Sequence, residues 1–116
     1  MVMEVNGYMI EPGAILTCAD FTAADLTEAK LEQVDLSYAD LTNANLSGAD
    51  LSNANLMNAN LGGADLSGAF LYGANLSGAN LENSNLRETK MEFVNLSSAN
   101  LPGADLHCKN LQGSNM

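Results

Sequence analysis

Residues 39–68 read ADLTNANLSGADLSNANLMNANLGGADLSG, and this stretch decides the fold. It is a five-residue unit said six times: a small residue, Asp or Asn, Leu, a small polar residue, then a small residue or Asn. Extended outward, the central position falls on Leu16, Phe21, Leu26 and so on to Leu111 and Met116. All twenty-one of these centres are Leu, Phe or Met. Two residues earlier stands Ala in most copies, with Val34, Ser84, Thr89, Val94, Lys109 and Ser114 as exceptions. One residue earlier stands Asp or Asn, except at Ile15, Lys30, Phe70 and Lys90.

A period of five fits neither a helix, which needs about 3.6, nor a strand, which needs 2. The centre and the residue two before it form a period-2 pair, so both can face one side of a short extended piece. Gly, Asn and Ser in the rest of the unit suit a turn. Extended pieces alternating with turns build a solenoid.

ADLTN, ANLSG, ADLSN and ANLSG at residues 39–43, 44–48, 49–53 and 74–78 resemble the pentapeptide-repeat family. The likeness runs over residues 14–116. It implies an all-β, right-handed quadrilateral β-helix, with four pentads per coil and about five coils. The centre and the small residue two before it would point inward and the other three outward. Residues 1–13 break the repeat. Val2, Val5, Tyr8 and Ile10 with Gly7 and Pro12-Gly13 read as a short strand and turn, assigned as an N-terminal cap, since a solenoid needs its first coil covered.

With four pentads per coil, residues twenty apart share a lane. In the third lane, Asp25, Asn45, Asp65, Asn85 and Asp105 alternate, which keeps like charges about two strand spacings apart. The fourth lane departs from consensus. Its outward positions read Lys30, Asp50, Phe70, Lys90, Asn110 before the centres and Glu32, Ser52, Tyr72, Glu92, Gln112 after them, with Phe93 one step on. Lys30, Phe70, Tyr72, Lys90 and Phe93 read either as drift at unconstrained outward positions or as a partner-contact face of aromatics ringed by mixed charge.

Fourteen acids against four bases give a formal charge of −10. That argues against direct nucleic-acid binding, which needs basic residues to displace counterions. Cys18 and Cys108 fall about four coils apart, roughly 19 Å by strand spacing, too far for a disulfide. His107 stands beside Cys108 without the ligands of a metal site. Acids are many, but a rod packed with Leu offers no concave, desolvated setting for a catalytic pair. No catalytic residue, metal or cofactor is expected, and the chain reads as not an enzyme. The first residues carry no basic start or long apolar run, and no window is long enough to span a membrane, so a cytoplasmic protein is expected.

Two function classes remain open. One is an interaction or structural module with an unknown protein partner; many members of the resembled family have no assigned role and are numerous in cyanobacteria. The other is a DNA-mimicking inhibitor or protector of a type II topoisomerase, gyrase, as the resemblance implies for some relatives. Those are longer and dimerise through a C-terminal helix not found here. A weak homodimer through the last coil, burying Leu106, Leu111 and Met116, is a further expectation.

Overall fold

The computed structural model describes residues 3–107 and 111–115. The repeat folds as a four-sided coil. Parallel bridges link residues twenty apart: Asp20↔Asp40, Asp40↔Asn60 and Asn60↔Asn80 on one side, Lys30↔Asp50, Asp50↔Phe70 and Phe70↔Lys90 on another. The four lanes that the family likeness implies are therefore real columns.

One pentad shows why these residue types recur. In Ala39–Asn43 every backbone N–H finds an acceptor. Ala39 N–H donates to Leu36 O at 3.0 Å, closing a turn. Asp40 N–H donates to Ala19 O in the preceding coil, and Leu41 and Asn43 N–H donate to Asn60 and Gly62 O in the next. Thr42 N–H is left over, and the Asp40 carboxylate takes it at 3.0 Å. Asn does the same work, as Asn45 Oδ1 does for Ser47 N–H at 3.0 Å. The Asp/Asn preference is thus a local side-chain cap on the turn. Buried backbone groups must be paired, and this arrangement pairs them across neighbouring coils and within the turns.

Among the described residues the last residue of each pentad has a left-handed backbone: φ is +58° at Asn43, +67° at Gly63 and +61° at Tyr38. Gly and Asn take this conformation most easily, which explains their frequency there. Inside, the centres from Leu16 to Leu96 are buried, as are the Ala positions from Ala19 to Ala79. Ser84 and Thr89 replace two of the Ala residues, and their hydroxyls donate to Leu81 O and Leu86 O at 2.8 and 2.7 Å. Burial of a hydroxyl is tolerated because that bond is made.

Burial declines toward the last coil. Leu101 and Leu106 are only partly buried and Leu111 is 38 % exposed. The expectation that every centre would lie inside fails at Leu111, because among the described residues no further coil packs on it. Met116 and Lys109 lie outside the described residues.

The first residues form two strands rather than one. β1 (Met3–Val5) pairs antiparallel with β2 (Tyr8–Ile10), in the register Met3↔Ile10 and Val5↔Tyr8. Asn6 and Gly7 turn between them with φ of +52° and +84°. Asn-Gly favours such a tight hairpin turn, so the turn at Gly7 divides the expected single strand into two. Ile10 is buried, and the Tyr8 ring lies 4.9 Å from that of Phe21. Asn6 Nδ2 donates to Asp20 O at 3.3 Å. On these contacts we propose the division into a cap, residues 1–13, and a coil, residues 14–116.

Candidate interaction face

The columns on the four sides of the rod differ in what they show to solvent. On the second side Asp20 and Asp40 stand directly over one another. Beyond them runs an amide ladder: Asn80 Nδ2 donates to Asn60 Oδ1 and Asn100 Nδ2 to Asn80 Oδ1, each at 3.1 Å. The stacked carboxylates are not among the residues expected from the sequence. Their signal was present in two Asp residues twenty apart. On the third side Asp and Asn alternate as expected, Asp25↔Asn45↔Asp65↔Asn85↔Asp105.

Several carboxylates are held by their turns. The Thr22 hydroxyl donates to Asp20 at 2.7 Å and the Thr22 amide at 3.0 Å, which keeps the Asp20 carboxyl below its ordinary value. The same pair of donors, hydroxyl then amide, acts from Thr27 on Asp25, Ser37 on Asp35 and Thr42 on Asp40. Asp105 is lowered first by its hydrogen bond with His107, and Arg87 lies 3.7 Å away. These groups cap turns and need no catalytic explanation.

The fourth side is different in kind. Phe70 is 44 % exposed, Tyr72 48 % and Phe93 51 %. Tyr72 and Phe93 meet edge to face with ring centroids 5.4 Å apart. The Lys90 ammonium lies 5.7 Å from the centre of the Phe70 ring. Four of the five residues expected on this face, Phe70, Tyr72, Lys90 and Phe93, are therefore brought together. Lys30 shares their column but is two coils from Phe70, with Asp50 between them.

These departures have a structural cost. Lys30, Phe70 and Lys90 stand where Asp or Asn would cap the turn, so the N–H groups of Glu32, Tyr72 and Glu92 lose that acceptor. Each forgone bond is worth about 0.5–1.5 kcal/mol. Phe93 holds a bulky side chain at φ +62°, where Gly or Asn fits with less strain. Its ring lies over Gly113, where any Cβ would come within 2.4 Å of it. Nearby, Glu92 Oε1 is buried without a hydrogen-bond partner. Three of the four positions that lack an Asp or Asn cap fall on this side, at Lys30, Phe70 and Lys90, and the other is Ile15 on the first side.

Of the expected end contact, Leu106 is partly buried, Leu111 is exposed, and Met116 lies outside the described residues. Cys108 lies outside them also, while Cys18 is a free, exposed thiol. Among the described residues no cluster of His, Cys, Asp and Glu suits a metal ion, and no helix is long and apolar enough to cross a membrane.

Comparison with known proteins agrees with this architecture. A pentapeptide repeat protein of the Arabidopsis thaliana thylakoid lumen is similar at 33 % identity and a TM-score of 0.69, over 73 % of this chain and 59 % of that one. The chain thus spans under two thirds of that relative. A pentapeptide repeat protein (Rfr23) of the cyanobacterium Cyanothece 51142 is 33 % identical over 84 % of this chain and 89 % of its own, with a TM-score of 0.44. QnrB1, a plasmid-mediated fluoroquinolone resistance protein, is 23 % identical over 86 % of this chain and 58 % of its own, with a TM-score of 0.49. None of the curated proteins matches the chain. Pentapeptide repeats match residues 14–53, 54–92 and 79–116, in eight copies. With its twenty-residue columns, inward Leu and Ala and capped turns, this right-handed quadrilateral β-helix belongs to the pentapeptide-repeat family.

Proposed function

We propose that the chain is a non-catalytic interaction module that contacts a protein partner through its fourth side. The observation that carries this is the exposed aromatic group Phe70, Tyr72 and Phe93, in which Phe70 stands where the repeat would otherwise cap its turn and Phe93 where Gly or Asn would relax the backbone. Exposed aromatics with neighbouring mixed charge have the composition of an interface core and rim. The non-catalytic reading is supported by the interior, where Leu and Ala fill the inward positions of the coil. An exposed free thiol at Cys18 supports a reducing, cytoplasmic setting.

A photoreactive phenylalanine analogue placed at position 70 in living cells tests the face. Discrete crosslinked species should form, and should fade when Tyr72→Ser and Phe93→Asn are added. A crosslinking pattern matching that of the same probe at position 60, on the second side, would overturn the reading. The formal charge of −10 is what supports the alternative, a DNA mimic acting on a type II topoisomerase. A supercoiling assay with purified gyrase separates the two. Inhibition or protection at micromolar concentration selects the mimic.

A further inference from the structure

Resting on that reading of the fourth side, we infer that its occupant is a second copy of this chain, packed antiparallel about a two-fold axis across the rod at the level of Phe70. The argument is the order of the column. Parallel bridges fix it as Lys30, Asp50, Phe70, Lys90. Phe70 is its aromatic centre, with an acid one coil to one side and a base one coil to the other. Neighbouring coils lie about 4.8 Å apart, so the two charges are equally far from the centre.

A two-fold axis lying in the contact plane along the strand direction keeps each column opposite itself and reverses its order. Phe70 then meets Phe70. Asp50 meets Lys90 of the second copy, and Lys90 meets its Asp50. The adjoining column, Ser52, Tyr72, Glu92, reverses in the same way, placing a hydroxyl donor opposite a carboxylate with Tyr72 at the middle. A contact of this kind is isologous and closes at two copies.

The other sides fail the same operation. Reversed about Asn55, the first side sets Asp35 against Asn75 and Ile15 against Asn95 and offers no cation. Reversed about Asn60, the second side sets Asp40 against Asn80 and Asp20 against Asn100 and offers no cation. Reversed about Asp65, the third sets two carboxylates face to face. Among the described residues only the fourth side pairs opposite charges around an apolar centre. The rod measures 33 × 21 × 20 Å, so one side offers somewhat less than the ~800 Å² per partner of a standard stable interface. The dimer is accordingly a weak one, governed by concentration and by salt.

Sedimentation of the full chain across a concentration range, with charge-reversed variants, tests this. Asp50→Lys and Lys90→Asp should each dissociate the dimer by roughly tenfold or more, because each sets like charges together twice. Both should fold, since this column already holds Lys at positions 30 and 90 and Asp at position 50, and a melting curve verifies it. An equimolar mixture of the two variants should regain the dimer, because every cross-contact is then attractive. The double variant should dimerise alone.

A wild-type chain that stays at 12.1 kDa to millimolar concentration overturns the self-contact. So does a mixture that sediments as separate monomers, or a dimer that Leu111→Asp abolishes while the charge reversals leave it intact. If the wild type is monomeric yet the probe at position 70 still captures a different protein, the self-contact fails and the fourth side stands as an interface. Loss of both overturns both.

Discussion

The Asn43 side chain lies across the α-carbon of Gly63, the residue beneath it in the next coil. A Cβ built on Gly63 would stand 2.2 Å from Asn43 Oδ1. The pairing recurs as Asn53 over Gly73, Asn58 over Gly78 and Asn83 over Gly103. Gly63→Ala should therefore meet two penalties, the left-handed backbone at φ +67° and the displaced amide. Gly68 has nearly the same φ, +68°, with nothing within 4 Å of a built Cβ, so Gly68→Ala meets only the first. We expect about 1 kcal/mol of destabilisation at Gly68 and at least about 1 kcal/mol more at Gly63. Urea denaturation measures both, and Asn43→Gly should shrink the difference. Equal effects at the two glycines would mean that the amide moves aside freely.

Ala59 is 1 % exposed at an inward position, whereas Ala23 is exposed at the last position of its pentad. Ala59→Leu should overpack the coil and cost about 1–3 kcal/mol or more. Ala23→Leu should cost little. Matching thermal midpoints for the two variants would contradict the inward and outward assignment.

Ala23 also has φ of +57°. An L-residue held there carries strain that Gly lacks, so Ala23→Gly should stabilise the fold by up to about 1 kcal/mol, the reverse of its effect in an ordinary extended segment. A lowered urea midpoint would show that the unfolded-state entropy of Gly outweighs the strain.

The period of five was legible because it is a pattern of residue type along the chain, while the inward Leu and Ala and the twenty-residue columns were implied by the likeness to the pentapeptide-repeat family. Phe70 and Tyr72 were legible by contrast with that pattern. The Asn-over-Gly pairing was not read, although Asn43 and Gly63 stand twenty apart. It depends on a side chain lying flat, which composition does not encode. The Asp40 cap on Thr42 was likewise hidden. Asp before the centre was read as an outward residue, when its carboxylate turns back onto the backbone. Gly7 was legible as a turn residue, but the Asn6-Gly7 pair as the turn of a two-stranded hairpin was not.

Acid should weaken the fold through those caps. Asp20, Asp25, Asp35 and Asp40 have carboxyls lowered from 3.8 by the hydroxyl and amide donors of Thr22, Thr27, Ser37 and Thr42. A carboxyl lowered in the folded state binds its proton more readily in the unfolded chain. Its contribution is whole above about pH 4 and is lost as pH falls through 3.8 toward the folded value. Asn caps the same N–H without titrating, as at Asn45 and Ser47. Replacing all four Asp by Asn should therefore flatten the fall in urea midpoint between about pH 4 and 2. It also removes the stacked charges of Asp20 and Asp40. An undiminished acid limb in the variant would assign the loss to other carboxylates.

Phe70 sits where the same lane has Asp50, whose Oδ1 accepts the Ser52 N–H at 3.0 Å. An Asn at position 70 would offer that acceptor to the Tyr72 N–H, worth about 0.5–1.5 kcal/mol. It would give up the Lys90 contact with the ring, about 0.5–1 kcal/mol at an exposed site. Phe70→Asn should thus leave stability unchanged or raise it slightly, while the same variant loses association through the fourth side. Two measurements on one protein, a melting curve and a sedimentation series, separate the effects. Destabilisation beyond about 1 kcal/mol would show that the Phe70 ring is held for the packing of its own coil, and the case for a contact residue would fall with it. A stabilised, dissociated variant would show the opposite: a residue that gives up a turn cap in its own coil to meet something outside it.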